Sequence, residues 1–263
     1  MDILTSLQNP KIKDAHKLWE RRDREKSQRF LIEGFRELSR AVGALVHIET
    51  LFVCPELFLG RHEAELIEQI ALRQGNIYRC SEKVFAHLSY RDRPDGILAV
   101  ARQTHLGLEA LQGGDFYIVA EAIEKPGNLG TILRSADASG VQGMIVCDRC
   151  TDIHNPNVVR ASVGTLFTLP VVEASSLETV AWLKKRGIAI VAATPHAQKV
   201  YTEVDLTGPV AIVVGTEQYG LSAQWMGAAD LAVKIPMWGV ADSLNVATAT
   251  TLLLYEVVRQ RKN

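Results

Sequence analysis

The sequence predicts a two-domain α/β protein, and three observations lead to this prediction. The chain has 263 residues, whereas a globular domain averages about 150. Short apolar runs alternate with helical segments over residues 115–263, a pattern typical of parallel strands buried on both faces. A glycine-containing stretch with little periodicity precedes them. We therefore predict a first domain at 1–103, a linker at 104–114 and a second domain at 115–263.

The first domain has the pattern of a small α/β unit. It opens at Phe30-Leu-Ile-Glu-Gly34 and closes with a strand-like run at 97–101. Between them, helical spacing of apolar residues predicts helices over 36–45 and 61–73, with a strand over 48–53. This half is smaller and more charged than the second.

Five apolar runs predict the strands of the second domain. They are residues 116–120, 143–147, 168–172, 188–193 and 210–214. Helices are predicted over residues 128–139, 177–186 and 242–261, the last starting at Asp242 or Ser243. The result is a mostly parallel sheet flanked by helices.

Composition excludes several classes of protein. The net charge is −1, and apolar residues make up 47% of the chain, both ordinary values for a soluble globular protein. No apolar run reaches the roughly 18 residues of a membrane span, and the first residues do not resemble a secretory signal. Four cysteines in a chain of this length do not make a disulfide scaffold. We expect a cytoplasmic protein that is not bound to a membrane.

Charge is concentrated near the N-terminus. Residues 9–40 hold ten basic side chains against six acidic ones, a local excess of four positive charges. Two interpretations stay open for this stretch. It is either a solvated helical segment with internal ion pairs or a face that follows RNA phosphates.

The usual nucleotide-binding glycine motifs are absent from the sequence. No strand is followed by Gly-x-Gly-x-x-Gly, and there is no P-loop. Any nucleotide-like ligand must therefore be held by another device.

Three loops that follow predicted strands carry candidate site residues. In the first, Asn128 is a good helix N-cap and Arg134 lies in the helix behind it. In the second, Gly215 lets the backbone approach a ligand closely, and Glu217 follows. The third, 235–247, supplies Ser and Asn donors beside a helix N-terminus. Open α/β sheets bind ligands where such strand ends meet.

Together, the three loops resemble the motifs of the SpoU (TrmH-like) RNA 2′-O-ribose methyltransferases of the SPOUT superfamily. The matching segments are Asn128-x-Gly-x-x-x-Arg134-x-Ala, Gly215-x-Glu217-x-x-Gly-Leu and Ile235-Pro-Met…Ser-Leu-Asn-Val-Ala247. Arg160-Ala-Ser-Val-Gly…Leu-Pro170 is also similar to the family. The resemblance covers residues 115–263. The first half resembles the family's RNA substrate-binding domain, which is similar to a ribosomal RNA-binding protein.

The resemblance implies a fold and a cofactor. The second domain is then a SPOUT-type α/β domain with a deep trefoil knot whose loops hold S-adenosylmethionine. The residues it implies for cofactor binding are Thr194, Gly215, Ile235, Met237, Leu244 and Ala247. The family is typically a homodimer, so Arg134 is expected beside a cofactor held by the other subunit.

The resemblance also implies the reaction, which is methylation of a ribose 2′-hydroxyl in a structured RNA. The catalytic candidates are Asn128, Arg134, Glu217, Ser243 and Asn245. Two roles stay open for Arg134. The family's mechanism makes it the base for the 2′-hydroxyl, but because guanidinium stays protonated in proteins, we favour stabilisation of the developing alkoxide. The RNA-binding candidates are Arg160, Lys11, Lys13 and Arg22. The reaction needs no metal.

The sequence leaves the RNA substrate and two other functions open. The separate first domain favours ribosomal RNA over transfer RNA as substrate. The same scaffold could also be a non-catalytic RNA-binding or ribosome-assembly factor, which the intact motif residues disfavour. Cys147-x-x-Cys150, followed by His154, could form a redox pair or part of a metal site, but no second cysteine pair supports either.

Overall fold

A computed structural model describes residues 3–262 of the chain. The strands are β1 (Ile3–Leu4), β2 (Arg29–Glu33), β3 (Ile48–Val53), β4 (Asn76–Cys80), β5 (Ile97–Arg102), β6 (Phe116–Glu121), β7 (Gly143–Cys147), β8 (Val171–Ala174), β9 (Ala189–Ala193), β10 (Lys199–Val200), β11 (Val210–Val214) and β12 (Leu231–Lys234). The helices are α1 (Pro10–Lys17), α2 (Arg21–Ser27), α3 (Phe35–Gly43), α4 (Glu63–Leu72), α5 (Glu82–Leu88), α6 (Pro126–Ser139), α7 (Pro156–Ala161), α8 (Ser176–Lys185), α9 (Ala223–Ala228) and α10 (Val246–Lys262).

The chain divides into two compact units. Unit 1 comprises residues up to Thr104 together with Asp152–Thr168, and unit 2 comprises His105–Thr151 and the chain from Leu169 onward. Residues 152–168 therefore lie inside the range predicted for the second domain but belong to unit 1. The predicted linker also has structure within unit 2, since Leu106 bridges Val172 and Leu111 is buried.

Unit 1 is built on a mixed five-stranded sheet in the order β1-β4-β3-β5-β2. Helix α1 begins well because Asn9 accepts a hydrogen bond from the Lys11 amide and Pro10 occupies the first turn. Its apolar face packs on that of α5 in one core cluster. The facing buried residues are Ile12, Ala15 and Leu18 from α1 and its end, and Val84, Phe85 and Leu88 from α5.

A buried ion pair ties the inserted segment into unit 1. The Arg24 Nε atom donates to Asp152 Oδ2 at 2.8 Å, and the two side chains are 1% and 4% exposed. The same guanidinium donates to the carbonyls of Leu18 and Trp19 at 2.9 and 2.8 Å. The His154 amide donates to the other carboxylate oxygen at 2.9 Å. The polar groups of this pair are thus compensated by further hydrogen bonds, as buried charge requires.

Unit 2 is built on a seven-stranded sheet in the order β10-β12-β9-β11-β6-β7-β8. Every strand pair in it is parallel. The central strands β11 and β6 are buried along their whole length. The α/β fold class, with a parallel sheet in the second half, is confirmed.

Three predicted helix or strand starts in unit 2 are wrong by two or more residues. Helix α6 begins at Pro126 after Lys125, so Asn128 lies inside its first turn and is not its N-cap. The last helix begins at Val246, not at Asp242 or Ser243, because Asn245 Oδ1 accepts the Ala247 amide at 3.0 Å and the Asn245 carbonyl accepts that of Ala249. This capping pattern leaves residues 235–245 as a loop. The strand predicted to start at residue 168 begins at Val171. Within residues 3–262 no helix is long and apolar enough to cross a membrane.

Candidate active site

A cavity of about 610 Å³ opens at the carboxyl ends of β9, β11 and β12. Its size lies within the range of small-molecule sites, and its position is where open parallel sheets bind ligands. The wall is formed by the ends of these strands and the loops that follow them. It includes Ala193, Thr194, Val214, Gly215, Val233, Ile235, Met237 and Leu244, with Val246, Ala249 and Leu253 from α10.

Five of the six residues predicted to bind cofactor line this cavity. They are Thr194, Gly215, Ile235, Met237 and Leu244. Ala247 does not line it, because Ala247 is buried in the first turn of α10. Its amide serves the capping bond to Asn245 instead. Its place in the motif predicts a cofactor contact, but a motif does not show which way a helix faces.

Gly215 allows the end of β11 and the turn that follows it to pack closely in the cavity wall. A Cβ atom at this position would lie 2.3 Å from the Gly220 carbonyl oxygen and 2.7 Å from the Leu221 nitrogen. The loop after β11 folds back on itself, since the backbones of Thr216 and Gly220 exchange two hydrogen bonds. Only glycine fits between the strand end and this turn.

A polar cluster stands at the cavity and joins all three sequence motifs. The Asn128 side-chain amide donates to Glu217 Oε1. Asn245 Nδ2 lies 3.1 Å from both Asn128 Oδ1 and Glu217 Oε1. Lys125 Nζ binds the second carboxylate oxygen, Glu217 Oε2. We call Lys125, Asn128, Glu217 and Asn245 the polar hub.

The hydrogen-bonding capacity of the Glu217 carboxylate is taken up by the other residues of the polar hub. Glu217 accepts from three side chains, so its oxygens serve to orient those neighbours. The hydrogen bond to Glu217 raises the pKa of Lys125 above its usual 10.5, which keeps the ammonium charged at neutral pH. An ammonium has three donors, and the one ion pair leaves others for a ligand. Sequence reasoning missed Lys125, whose partner is 92 residues away.

The remaining catalytic candidates occupy different places. Ser243 lines the cavity. Arg134 does not, although it lies on α6, the helix that begins beside Asn128. Its side chain is exposed and makes no hydrogen bond or ion pair with residues 3–262. The structure therefore brings together Asn128, Glu217, Ser243 and Asn245 and leaves Arg134 outside the cavity of its own chain.

The four predicted RNA-binding residues are all exposed cations of unit 1. The Arg160 guanidinium stands 5.1 Å from the centre of the Tyr90 ring, and Lys11 Nζ stands 4.9 Å from that of Tyr78. Lys13 and Arg22 form no ion pair with any residue that the structure describes. Their charge is free to meet phosphate.

Cys147, the first cysteine of the Cys-x-x-Cys pair, has the surroundings of an unreactive thiol. Cys147 is buried in the sheet and its Sγ contacts the Thr179 hydroxyl at 3.2 Å. Burial raises the pKa of this thiol to about 12, so it stays protonated and is a poor ligand or nucleophile. Among residues 3–262, no three His, Cys, Asp or Glu side chains are grouped to hold a metal ion.

A parallel sheet with a ligand cavity at its strand ends and a polar hub beside it defines an α/β ligand-binding domain with the layout of an enzyme. Comparison with known proteins gives the family. The SpoU rRNA Methylase profile matches residues 115–255, and the MRM3-like substrate binding domain profile matches residues 9–99. The chain belongs to the SpoU rRNA methylase family, which confirms the resemblance seen in the motifs.

Three relatives show how far the similarity extends. A 23S rRNA (uridine(2479)-2′-O)-methyltransferase of Streptomyces viridochromogenes is 34% identical over 93% of this chain and 87% of its own. A crystal structure of an RNA 2′-O ribose methyltransferase is 41% identical over all of both chains, with a TM-score of 0.87. An rRNA methyltransferase from Sinorhizobium meliloti, solved with S-adenosylmethionine bound, is 31% identical over 98% of this chain and 97% of its own, with a TM-score of 0.89.

Substituting Gly215 with alanine should weaken cofactor binding at least about tenfold, because the added methyl group clashes with backbone rather than with a movable side chain. The turn at 216–220 has to shift and the cavity changes shape. Titration calorimetry with S-adenosylmethionine measures the effect. Gly127→Ala is the matched control, since a Cβ atom there meets nothing within 4 Å. Equal affinities of the two variants would contradict the role given to Gly215.

Proposed function

We propose that this protein transfers a methyl group from S-adenosylmethionine to a ribose 2′-hydroxyl of ribosomal RNA. The polar hub at the cavity carries this proposal, because it joins the three motif loops at one point beside a cofactor-sized space. The name of the Streptomyces relative supports ribosomal RNA rather than transfer RNA as substrate. A role in ribosomal RNA modification implies work in the cytoplasm.

The cavity fits S-adenosylmethionine in its chemistry. Strand-end backbone and the wall at Gly215 can hold the polar parts of the cofactor, while Leu244 and Met237 offer apolar contact. When bound, the cofactor supplies an electrophilic methyl group on sulfur. We also propose the trefoil knot of the family for the loops after β11 and β12, since both contribute to the same wall.

The residues of the hub position the substrate. Lys125 carries a charged ammonium at the cavity and can bind a phosphate next to the target ribose. The Ser243 hydroxyl lines the same cavity and can bind a ribose oxygen. Glu217 holds the side chains of Asn128 and Asn245 in place. These two amides therefore orient the substrate and contribute no charge. Such positioning supplies much of the rate in a transfer between two bound reactants.

Arg134 is proposed to act on the cavity of a second subunit. During the transfer the 2′-hydroxyl would release its proton to solvent water, and a guanidinium beside it stabilises the alkoxide that develops. Arg134 is exposed and unpaired, and it does not line its own cavity. In a homodimer, Arg134 of one subunit would serve the cavity of the other subunit. Unit 2 also exposes large apolar side chains suited to an interface, namely Trp238, Val240, Leu252 and Tyr255.

Methyl transfer tests the proposal directly. Purified protein with S-adenosylmethionine carrying a labelled methyl group should label deproteinised ribosomal RNA and leave transfer RNA unlabelled. The modified nucleotide should carry a 2′-O-methyl group. Label on transfer RNA alone would overturn the substrate assignment. Cofactor binding without label on any RNA would favour a non-catalytic RNA-binding factor on this scaffold.

A further inference from the structure

Four exposed or half-exposed rings stand side by side on the outside of unit 1. His16 stacks on His87 with ring centres 4.3 Å apart and planes 6° from parallel. Trp19 stacks on Tyr90 with centres 5.3 Å apart and planes at 28°. We call these four residues the aromatic strip.

The strip follows from how α1 and α5 pack. Each stacked pair takes one ring from α1 or the residues after it and one from α5 or the residues after it. The second pair lies three residues beyond the first on both segments, about one helical turn further along. The buried faces of the two helices share the core described above. The Trp19 indole N–H donates to the Leu88 carbonyl at 3.2 Å and fixes the strip where the helices end.

Positive charge stands at both ends of the strip. Lys13 lies one turn before His16, and Lys83 one turn before His87, both exposed. At the other end the Arg160 guanidinium packs 5.1 Å from the centre of the Tyr90 ring. None of these three cations forms an ion pair with the residues described. Glu20 interacts with His16 and is outnumbered by them.

The rings are suited to stacking rather than to ion pairing. Tyr90 is 48% exposed despite its two neighbours. Partial desolvation and the nearby His87 lower the pKa of His16 below its usual 6.5, so this imidazole is uncharged at neutral pH. Flat aromatic rings flanked by lysine and arginine are the combination with which proteins bind single-stranded nucleic acid, since bases stack on rings and phosphates bind cations.

We propose that the aromatic strip binds an unpaired segment of the RNA substrate, with nucleobases stacked on its rings and phosphates on Lys13, Lys83 and Arg160. This inference deepens the proposed function, because it names the part of the RNA that unit 1 selects. Bases inside a duplex keep their faces stacked on one another, so a loop, bulge or strand end is required.

Binding of a short labelled RNA to the full-length protein tests the proposal. The probe is a fluorescein-labelled strand of about 12 nucleotides that alternates A and C and does not pair with itself. Its duplex with the complementary strand is the second probe. We expect the wild type to bind the single strand more tightly than the duplex. Fluorescence anisotropy gives both dissociation constants.

Two exposed ring residues provide the variants. Tyr90→Ala and His87→Ala should each weaken single-strand binding about 5-fold to 150-fold, the effect of losing one stacked base. Tyr90→Phe keeps a ring and should bind nearly as the wild type does. His62→Ala removes an exposed histidine of unit 1 elsewhere and is the matched control. Thermal melting shows that each variant is folded.

The outcomes separate this inference from the proposed function. Unchanged single-strand binding in both alanine variants would contradict RNA binding by the aromatic strip, even if the wild type methylates ribosomal RNA. Duplex binding as tight as single-strand binding also overturns it. Loss of binding in the two alanine variants, with binding kept in Tyr90→Phe and His62→Ala, supports RNA binding by the aromatic strip. This conclusion holds even if no methyl transfer to RNA is found.

Discussion

Arg134→Ala is expected to lower the rate of methyl transfer about a hundredfold to a thousandfold while leaving S-adenosylmethionine affinity nearly unchanged. That loss is the size seen when one group that stabilises a developing oxyanion is removed. Affinity should hold because Arg134 is proposed to contact the ribose 2′-oxygen rather than the cofactor, and it does not line the cavity of its own chain. Single-turnover rates with ribosomal RNA and calorimetry with the cofactor measure the two quantities separately.

Two control variants sharpen this prediction. Arg134→Lys keeps the charge but loses the planar fork, so it should recover only part of the rate. Arg186→Ala removes an exposed arginine that packs on Trp182, 4.9 Å from the ring centre, and should keep the full rate. Full activity in Arg134→Ala would show that the alkoxide is stabilised by another group.

Mixed dimers test which subunit each Arg134 serves. A dimer that pairs an Arg134→Ala chain with a Gly215→Ala chain has one intact cavity, and the arginine needed there is on the other chain. If Arg134 acts across the interface, mixing the two weak variants should restore activity at one of the two sites. No recovery in dimers of verified mixed composition would place the arginine and the cofactor on the same chain.

Asp152→Asn is expected to destabilise the protein by about 3–5 kcal/mol, because it leaves the Arg24 charge buried without a counter-charge. Both side chains are nearly inaccessible to water, so solvent cannot compensate. Urea unfolding followed by circular dichroism gives the free energy of unfolding. The double variant Arg24→Leu, Asp152→Leu should be more stable than Asp152→Asn, since it removes both charges.

An exposed ion pair provides the control for this measurement. Glu25→Gln breaks the contact between Arg21 and Glu25, whose side chains are 46% and 45% exposed. Pairs of this kind contribute about 0.3–0.5 kcal/mol on a helix. A loss in Asp152→Asn no larger than that in Glu25→Gln would mean that the Arg24 charge finds another partner or water.

The central strands of unit 2 could be predicted because they are buried on both faces. Such strands are apolar along their whole length, and β11 matches its predicted run at both ends. Strand β4 gave no such pattern, because Asn76, Tyr78 and Arg79 leave few apolar positions in it. It is held by pairing with β1 and β3, an interaction that its own residues do not reveal.

The site was predictable only as a set of motifs. The loops that follow the predicted strands identified Asn128, Glu217 and Asn245 as candidates. The order of the three motifs along the chain then revealed the resemblance to the family. The sequence could not show which of these side chains are in contact, because the contact between Asn245 and Asn128 spans 117 residues. The exclusion of Arg134 from its own cavity depends on the direction of α6. A short motif does not carry that information.

The inserted segment in unit 1 has a consequence for synthesis on the ribosome. Arg24 and Asp152 are 128 residues apart. At about 5–20 residues per second, the carboxylate follows the guanidinium out of the peptidyl-transferase centre by about 6–26 seconds. Strands β6 and β7 are made in that interval. The N-terminal unit therefore cannot finish folding before part of the second sheet exists, and a nascent chain halted near residue 104 would carry an arginine whose counter-charge has not yet been translated.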